Sequence, residues 1–204
     1  MTHSIDLRVI ELMAARLCHD LIGPVSAIGN GIELLADEDP GFLREAVGLV
    51  GDSARIASRR LQFYRFSYGF SGAGVAGGSA PHRLVADFFA GGNIECVYSP
   101  EMQAAELPRQ KLGCAMLSVA AEGLPRGGTL LLAPGNAGPE VAASGTGTGP
   151  SPEARAALAL ATPVAELTSR TVGAYFAGLL ADRLGWRLGV EDRPGGFRLA
   201  TAPQ

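Results

Sequence analysis

The stretch Leu17-Cys18-His19-Asp20-Leu21-Ile22-Gly23-Pro24-Val25 decides how this chain reads. It lies within a run of apolar or small residues at Ile10, Ala14, Leu17, Leu21, Val25, Ile28, Ile32 and Leu35. Steps of three and four held over that length predict one long amphipathic helix. His19 is two residues from both Leu17 and Leu21. At about 100° per residue it falls roughly 200° from each, on the side facing away from the seam. An imidazole there is open to a partner. Asp20 follows it and can accept a proton or hold one imidazole tautomer. Gly23 and Pro24 then interrupt the helical pattern. Proline removes a backbone donor and crowds the carbonyl four residues earlier, that of Asp20. The pair costs about 3 kcal/mol or more inside a helix, so a kink at Pro24 is expected. Each feature taken singly also fits an ordinary surface histidine beside a tolerated kink.

Working outward, Asp37-Glu38-Asp39-Pro40-Gly41 breaks the pattern with turn residues. A second helix resumes with Leu43, Ala46, Val50, Ala54, Ala57, Leu61, Tyr64 and Tyr68. The short connection makes the two helices antiparallel neighbours. Val9, Leu12, Met13, Ile22, Leu49 and Phe63 add apolar surface outside the two seams. A second copy would cover it, giving a dimeric four-helix bundle. The alternative is that this face packs on the C-terminal half of the same chain. Ser71-Gly72-Ala73-Gly74-Val75-Ala76-Gly77-Gly78-Ser79 reads as a flexible linker.

Beyond the linker the pattern is mixed. Helices fit Pro81 to Ala90, Pro108 to Gly123, Pro152 to Ala161 and Thr168 to Leu184. Strands fit Ile94 to Tyr98, Thr129 to Ala133, Glu140 to Ala143, Trp186 to Glu191 and Phe197 to Thr201. The fold class is α+β: a helical hairpin over 1–70, a linker over 71–79, and an α/β sandwich over 80–204. In the sandwich, helices cover one face of a mostly antiparallel sheet.

Composition removes several functions. The 204 residues are 47% hydrophobic, enough to build a core. The formal net charge is -3, whereas nucleic-acid binding needs clustered basic charge, so no nucleic-acid partner is expected. No basic start leads into an apolar run, and no run approaches a membrane span. A cytoplasmic protein without a membrane partner is expected. Cys18, Cys96 and Cys114 are odd in number and widely spaced, fitting neither a disulfide framework nor zinc spacing. His3, His19 and His82 form no ligand cluster, so no metal site is expected.

His19-Asp20-Leu21-Ile22-Gly23-Pro24-Val25 resembles the H-box of sensor histidine kinases. That box is a phosphoacceptor histidine followed by an acid and, five residues on, proline. It too lies on the first helix of a dimeric hairpin. Ile22 stands where those kinases often carry Arg. Gly23 stands where they carry the Thr or Asn that supports dephosphorylation of the partner, so the resemblance stops short of that activity. Lys111 to Leu130 resembles the N-box helix and following strand of the kinase ATP-binding domain. The two asparagines that face nucleotide there match Ala115 and Val119, and neither can ligate Mg²⁺, which requires oxygen donors. Ala143 to Pro150 resembles the G1 glycine turn, with Gly145 where the adenine-recognising Asp belongs. The helix near Thr171 to Leu180 takes the place of the G2 box without its glycine run. Leu184 to Leu199 resembles the closing hairpin.

A phosphoacceptor helix beside a blank nucleotide site resembles the dimeric histidine phosphotransferases of alphaproteobacterial phosphorelays. The resemblance implies that His19 takes a phosphoryl group from the receiver domain of a hybrid histidine kinase and passes it to a response-regulator receiver. Asp20 would orient His19 or move its proton. It implies no intrinsic cofactor, with Mg²⁺ supplied by the receiver, and no ATP-dependent kinase activity. Receivers of this kind dock on the hairpin on the loop side of the histidine. That face carries Ile22, Gly23, Ser26, Ala27 and Asn30, and across the hairpin Gly51, Arg55, Ser58 and Arg59. The arginines would meet an acidic receiver or the phosphoryl group. The alternative is a solvated face in which Arg55 and Arg59 pair with Glu45 and Asp52. The rival functions are an active, divergent histidine kinase and a dimeric adaptor that binds receivers without transfer.

Overall fold

The computed structural model describes residues 6–35, 40–69, 79–146 and 149–204. Helix α1 (Leu7–Leu34) is capped by the Asp6 carboxylate, which accepts from the Arg8 amide at 2.9 Å. It runs through Pro24 as one continuous helix. Helix α2 (Pro40–Ser67) returns alongside it. Pro40 and Gly41, expected in the turn, already belong to α2. A proline suits a helix's first turn, because its missing N–H is one of the orphans there anyway. The expected turn residues Asp37, Glu38 and Asp39 lie outside the described residues, as do His3, most of the linker (71–78) and Gly147 of the glycine turn. The helices meet closely at Gly31, where a Cβ would lie 2.6 Å from a Val50 methyl.

The remaining elements are α3 (Pro81–Phe89), β1 (Ile94–Tyr98), α4 (Pro100–Gln103), α5 (Leu107–Glu122), β2 (Gly128–Pro134), β3 (Pro139–Ser144), α6 (Pro152–Leu158), α7 (Val172–Arg183), β4 (Trp186–Arg193) and β5 (Gly196–Pro203). The strands form one sheet in the order β1-β2-β3-β5-β4. Only β1 and β2 run parallel; the other neighbours are antiparallel. Leu130 and Leu132 of β2, Val141 and Ala143 of β3, and Phe197 and Leu199 of β5 point inward by strand alternation. Helices α5 and α7 cover that face. Leu112 to Ala120 of α5 is buried all round, so this helix is the centre of the sandwich. At Gly113 a Cβ would lie 2.8 Å from a Leu132 methyl, so glycine lets α5 sit close on the sheet.

Two further helix ends differ from expectation by several residues. α6 stops at Leu158 rather than Ala161, because Leu160 takes a left-handed φ of 57°. The last helix begins at Val172 rather than Thr168. Thr168 and Thr171 bond each other's main chain through their side chains, offering the backbone a turn in place of a helix. The short helix α4 was not foreseen.

The seam assignment also needs correction. Val9, Met13 and Phe63, assigned outside the seam, are buried in one core with residues of α5 and α7. The face expected to meet a second copy there meets the same chain instead. Ile10, Val25 and Ile32 of the assigned seam, and Leu61 on α2, are exposed. Apolar residues lie on both sides of the hairpin, and periodicity alone does not say which side is covered by its own chain.

Cys18 is exposed, Cys114 is buried, and burial pushes the Cys96 thiol up to about 12. Only a thiolate alkylates readily. Iodoacetamide at about pH 8 should therefore modify Cys18 alone in the folded protein, and all three thiols once it is unfolded. Mass spectrometry of the digested protein reads the pattern.

Candidate functional site

The histidine stands on the hairpin as its spacing predicts. The His19 side chain is 86% exposed, and that of Asp20 beside it 28%. His19 Nδ1 lies 3.4 Å from Asp20 Oδ1. The second carboxylate oxygen, Oδ2, accepts from the Tyr64 hydroxyl at 2.7 Å. Tyr64 comes from α2 and is buried. Burial, with the hydrogen bond to Asp20 adding to it, pushes its phenol far above the ordinary range, so the O–H remains a donor at every working pH.

Pro24 has no N–H to give the Asp20 carbonyl, which lies four residues before it. The Arg60 guanidinium on α2 donates to that carbonyl instead. A buried or half-buried backbone acceptor left unpaired costs free energy comparable to a lost hydrogen bond. Arg60 thus offsets part of the cost of the proline. Neither Arg60 nor Tyr64 stood out as functional in the sequence. The open carbonyl ahead of Pro24 was the available signal, since it asks for a donor from a neighbouring element.

The bonds from Arg60 and Tyr64 to Asp20 and the approach of Gly31 to Ala46 and Val50 set the hairpin register. In that register residues 51–59 run alongside residues 22–30. The candidate docking residues are therefore brought onto one stretch of hairpin. Ile22, Gly23, Ser26, Asn30, Arg55 and Ser58 are exposed; Ala27, Gly51 and Arg59 are half-buried. Arg55 is paired with Asp52 one turn away, as the solvated-face reading expects.

The hairpin is tied to the sandwich by named bonds. Arg8 donates to the Val164 and Leu167 carbonyls at 3.1 and 3.0 Å. Arg16, one turn before Asp20, pairs with Glu122 of α5 and donates to the Arg170 carbonyl at 3.4 Å. Burial pushes the Glu122 carboxyl up, and Arg16 pulls it back. Tyr68 donates to the Ser118 hydroxyl at 3.0 Å. The Phe63 ring stacks on Phe88 with centroids 4.0 Å apart.

A cavity of about 430 Å³ opens between α5 and the Thr168–Thr171 turn, lined among others by Val119, Glu122, Ser151, Glu153 and Thr171. Val119 brings a methyl surface to it, and Ala115 is buried in the core. Glu122 is engaged by Arg16. The other oxygen-bearing side chains of the lining are Ser151, Glu153, Thr168 and Thr171. Among the described residues there is no group of three or more His, Cys, Asp or Glu side chains able to hold a metal, and no helix long and apolar enough to cross a membrane.

The profile of the histidine phosphotransferase C-terminal domain matches residues 80–195. The protein phosphotransferase ChpT of Brucella abortus (strain 2308) is 32% identical over 186 residues, 88% of each chain. A 1.7 Å structure of a bacterial phosphotransferase superposes with a TM-score of 0.75 at 25% identity and covers 98% of both chains.

The tie through Arg16 has a measurable weight. Arg16→Ala should lower the unfolding free energy by roughly 1.5–3 kcal/mol, the range for a hydrogen bond to a charged group. Urea denaturation followed by circular dichroism measures it.

Proposed function

The chain belongs to the histidine phosphotransferase family, and from that premise we propose that it carries phosphoryl groups between receiver domains through His19. The observation that carries this reading is the exposed imidazole held beside an acid whose other oxygen and main chain are both engaged by the facing helix. A neutral imidazole is a good nucleophile near neutral pH and, once phosphorylated, a good leaving group. The ring nitrogen turned from Asp20, Nε2, attacks phosphorus of a receiver's aspartyl phosphate. The N–P bond forms, the acyl phosphate P–O bond breaks, and its electron pair leaves on the donor carboxylate. Asp20 faces Nδ1 and stabilises the imidazolium that results. The second transfer reverses these steps onto the carboxylate of another receiver.

The receivers bring Mg²⁺ and cationic groups for the phosphoryl oxygens; this chain brings the histidine. Receivers dock on Ile22, Gly23, Ser26, Ala27 and Asn30 and the facing residues Gly51, Arg55, Ser58 and Arg59. Small side chains there admit a partner helix closely, and Arg55 exchanges Asp52 for an acidic receiver group. We take the donor as the receiver of a hybrid kinase, the acceptor as a response regulator, and the cytoplasm as the setting. Residues 80–204 act as a kinase-like domain without kinase activity, joined through 71–79 to the phosphotransfer hairpin of 1–70. The apolar wall at Val119 and the engagement of Glu122 support that part of the reading.

We also propose that two copies pair through the exposed stripe of Ile10, Val25, Ile32 and Leu61. The stripe borders an apolar groove of about 520 Å³ lined by Leu17, Leu21 and Leu61, among others. Water-exposed apolar surface of this extent is a driving force for association. Light scattering should give about twice the 21.0 kDa chain mass, and Ile32→Asp should return the monomer mass.

The transfer reading is tested with a receiver domain charged with labelled phosphate. Wild type should take the label and pass it on, while His19→Ala takes none. Equal loss of receiver phosphate in both would remove His19 as acceptor. Labelled ATP with Mg²⁺ and no receiver should leave His19 unlabelled; labelling would favour the kinase reading.

A further inference from the structure

Residue 20 is held from the facing helix at both its ends. Arg60 takes its main-chain carbonyl, and Tyr64, one turn on, takes one oxygen of its carboxylate. The two contacts come from adjacent turns of α2 and converge on one residue. We propose that Tyr64 and Arg60 are positioning residues for phosphoryl transfer: together they aim the Asp20 carboxylate at His19 Nδ1 and so set which imidazole nitrogen carries the lone pair. This rests on the reading of His19 as the phosphoacceptor.

The geometry leaves the carboxylate little freedom. With Oδ2 held by Tyr64 at 2.7 Å, Oδ1 is the oxygen turned towards the imidazole, 3.4 Å from Nδ1. A carboxylate can only accept at that point, so the ring nitrogen facing it is the one that keeps its proton. The lone pair then lies on Nε2 of a side chain that is 86% exposed, open to an incoming phosphorus. Attack from Nε2 requires no proton to leave first. The N–P bond forms, the donor's P–O bond breaks onto its carboxylate, and the Nδ1 proton stays on the ring beside Asp20.

Without the phenol, the carboxylate would have a free oxygen and could turn about its side-chain torsions. Without Arg60, the carbonyl that Pro24 leaves open would compete for other donors, and the first turn after His19 would lose its hold on α2. The surroundings keep the phenol fixed. Its ring lies against Phe63 and Phe88, with centroids 5.9 and 5.8 Å away, and beside Tyr68 at 5.7 Å. The hydroxyl is therefore presented by a packed aromatic cluster rather than by a loose surface side chain. The charged groups near Asp20 from the other packed elements, Arg16 on α1 and Glu122 on α5, are paired with each other.

The test needs no cognate receiver. The full chain, labelled with ¹⁵N in its histidines, reports the tautomer of His19 by NMR. Phosphoramidate, a small phosphoryl donor to imidazole, reports the rate of N–P bond formation. Wild type should show mainly the Nδ1–H form at His19. Tyr64→Phe keeps the aromatic packing and removes only the hydroxyl. It should shift His19 towards the Nε2–H form and slow phosphorylation roughly three- to ten-fold, the net weight of one hydrogen bond. Arg60→Ala should move both readings in the same direction, which covers the case in which Tyr64→Phe folds poorly. In an Asp20→Ala background, Tyr64→Phe should have no further effect, because its action passes through Asp20. A Tyr64→Phe protein with wild-type tautomer and rate overturns the proposal. So does an equal slowing by Tyr64→Phe with and without Asp20. His19→Ala serves as the separate control: label at another residue in that variant would remove the phosphoacceptor reading itself.

Discussion

The burial of one face of the hairpin against the α/β sandwich is the constraint on which the rest depends. Phe63 is fully enclosed and stacked on Phe88, and Val9 and Met13 join the same core as α5 and α7. Burying such a side chain contributes about 1.5–3 kcal/mol relative to leaving it in water. Once that face is inside, the rotation of α1 about its own axis is set. His19 then faces solvent, and the stripe of Ile10, Val25 and Ile32 is left exposed. One packing choice thus decides which apolar surface is left to another molecule and leaves the histidine on the open side.

Polar contacts refine this arrangement where the helix is weakest. Pro24 opens a gap in the hydrogen-bond ladder one turn after His19, and Arg60 closes it from the other helix. Arg16 and Glu122 tie the preceding turn to α5. His19 is flanked by two anchored turns, yet its own side chain is exposed. The backbone is held, and the ring is open to solvent. The sandwich contributes the anchor, through Glu122, Ser118 and Phe88.

The places of the five strands along the chain and the exposure of His19 were legible in the sequence. Leu130 and Leu132 face inward because strand side chains alternate. His19 is exposed because it lies opposite Leu17 and Leu21. The start of α7 was less legible, because two threonines substitute side-chain bonds for a helical turn. The apolar stripes were legible as stripes, but their assignment was reversed for Val9, Met13 and Phe63. Arg55 shows the same limit on the polar side, since a partner as near as Asp52 is visible in the spacing but its preference over a distant one is not.

By itself the sequence determined the helix periods, the strand order along the chain, the exposed histidine with its adjacent acid, and the open carbonyl that a proline always leaves behind it. These are properties of a residue and its near neighbours. Only the tertiary structure decided which apolar stripe is buried by its own chain, and that Arg60 and Tyr64 meet Asp20 across 40 and 44 residues of sequence. Such contacts depend on helix register and on the docking of the hairpin, and both are set by packing summed over the whole core rather than by any local pattern.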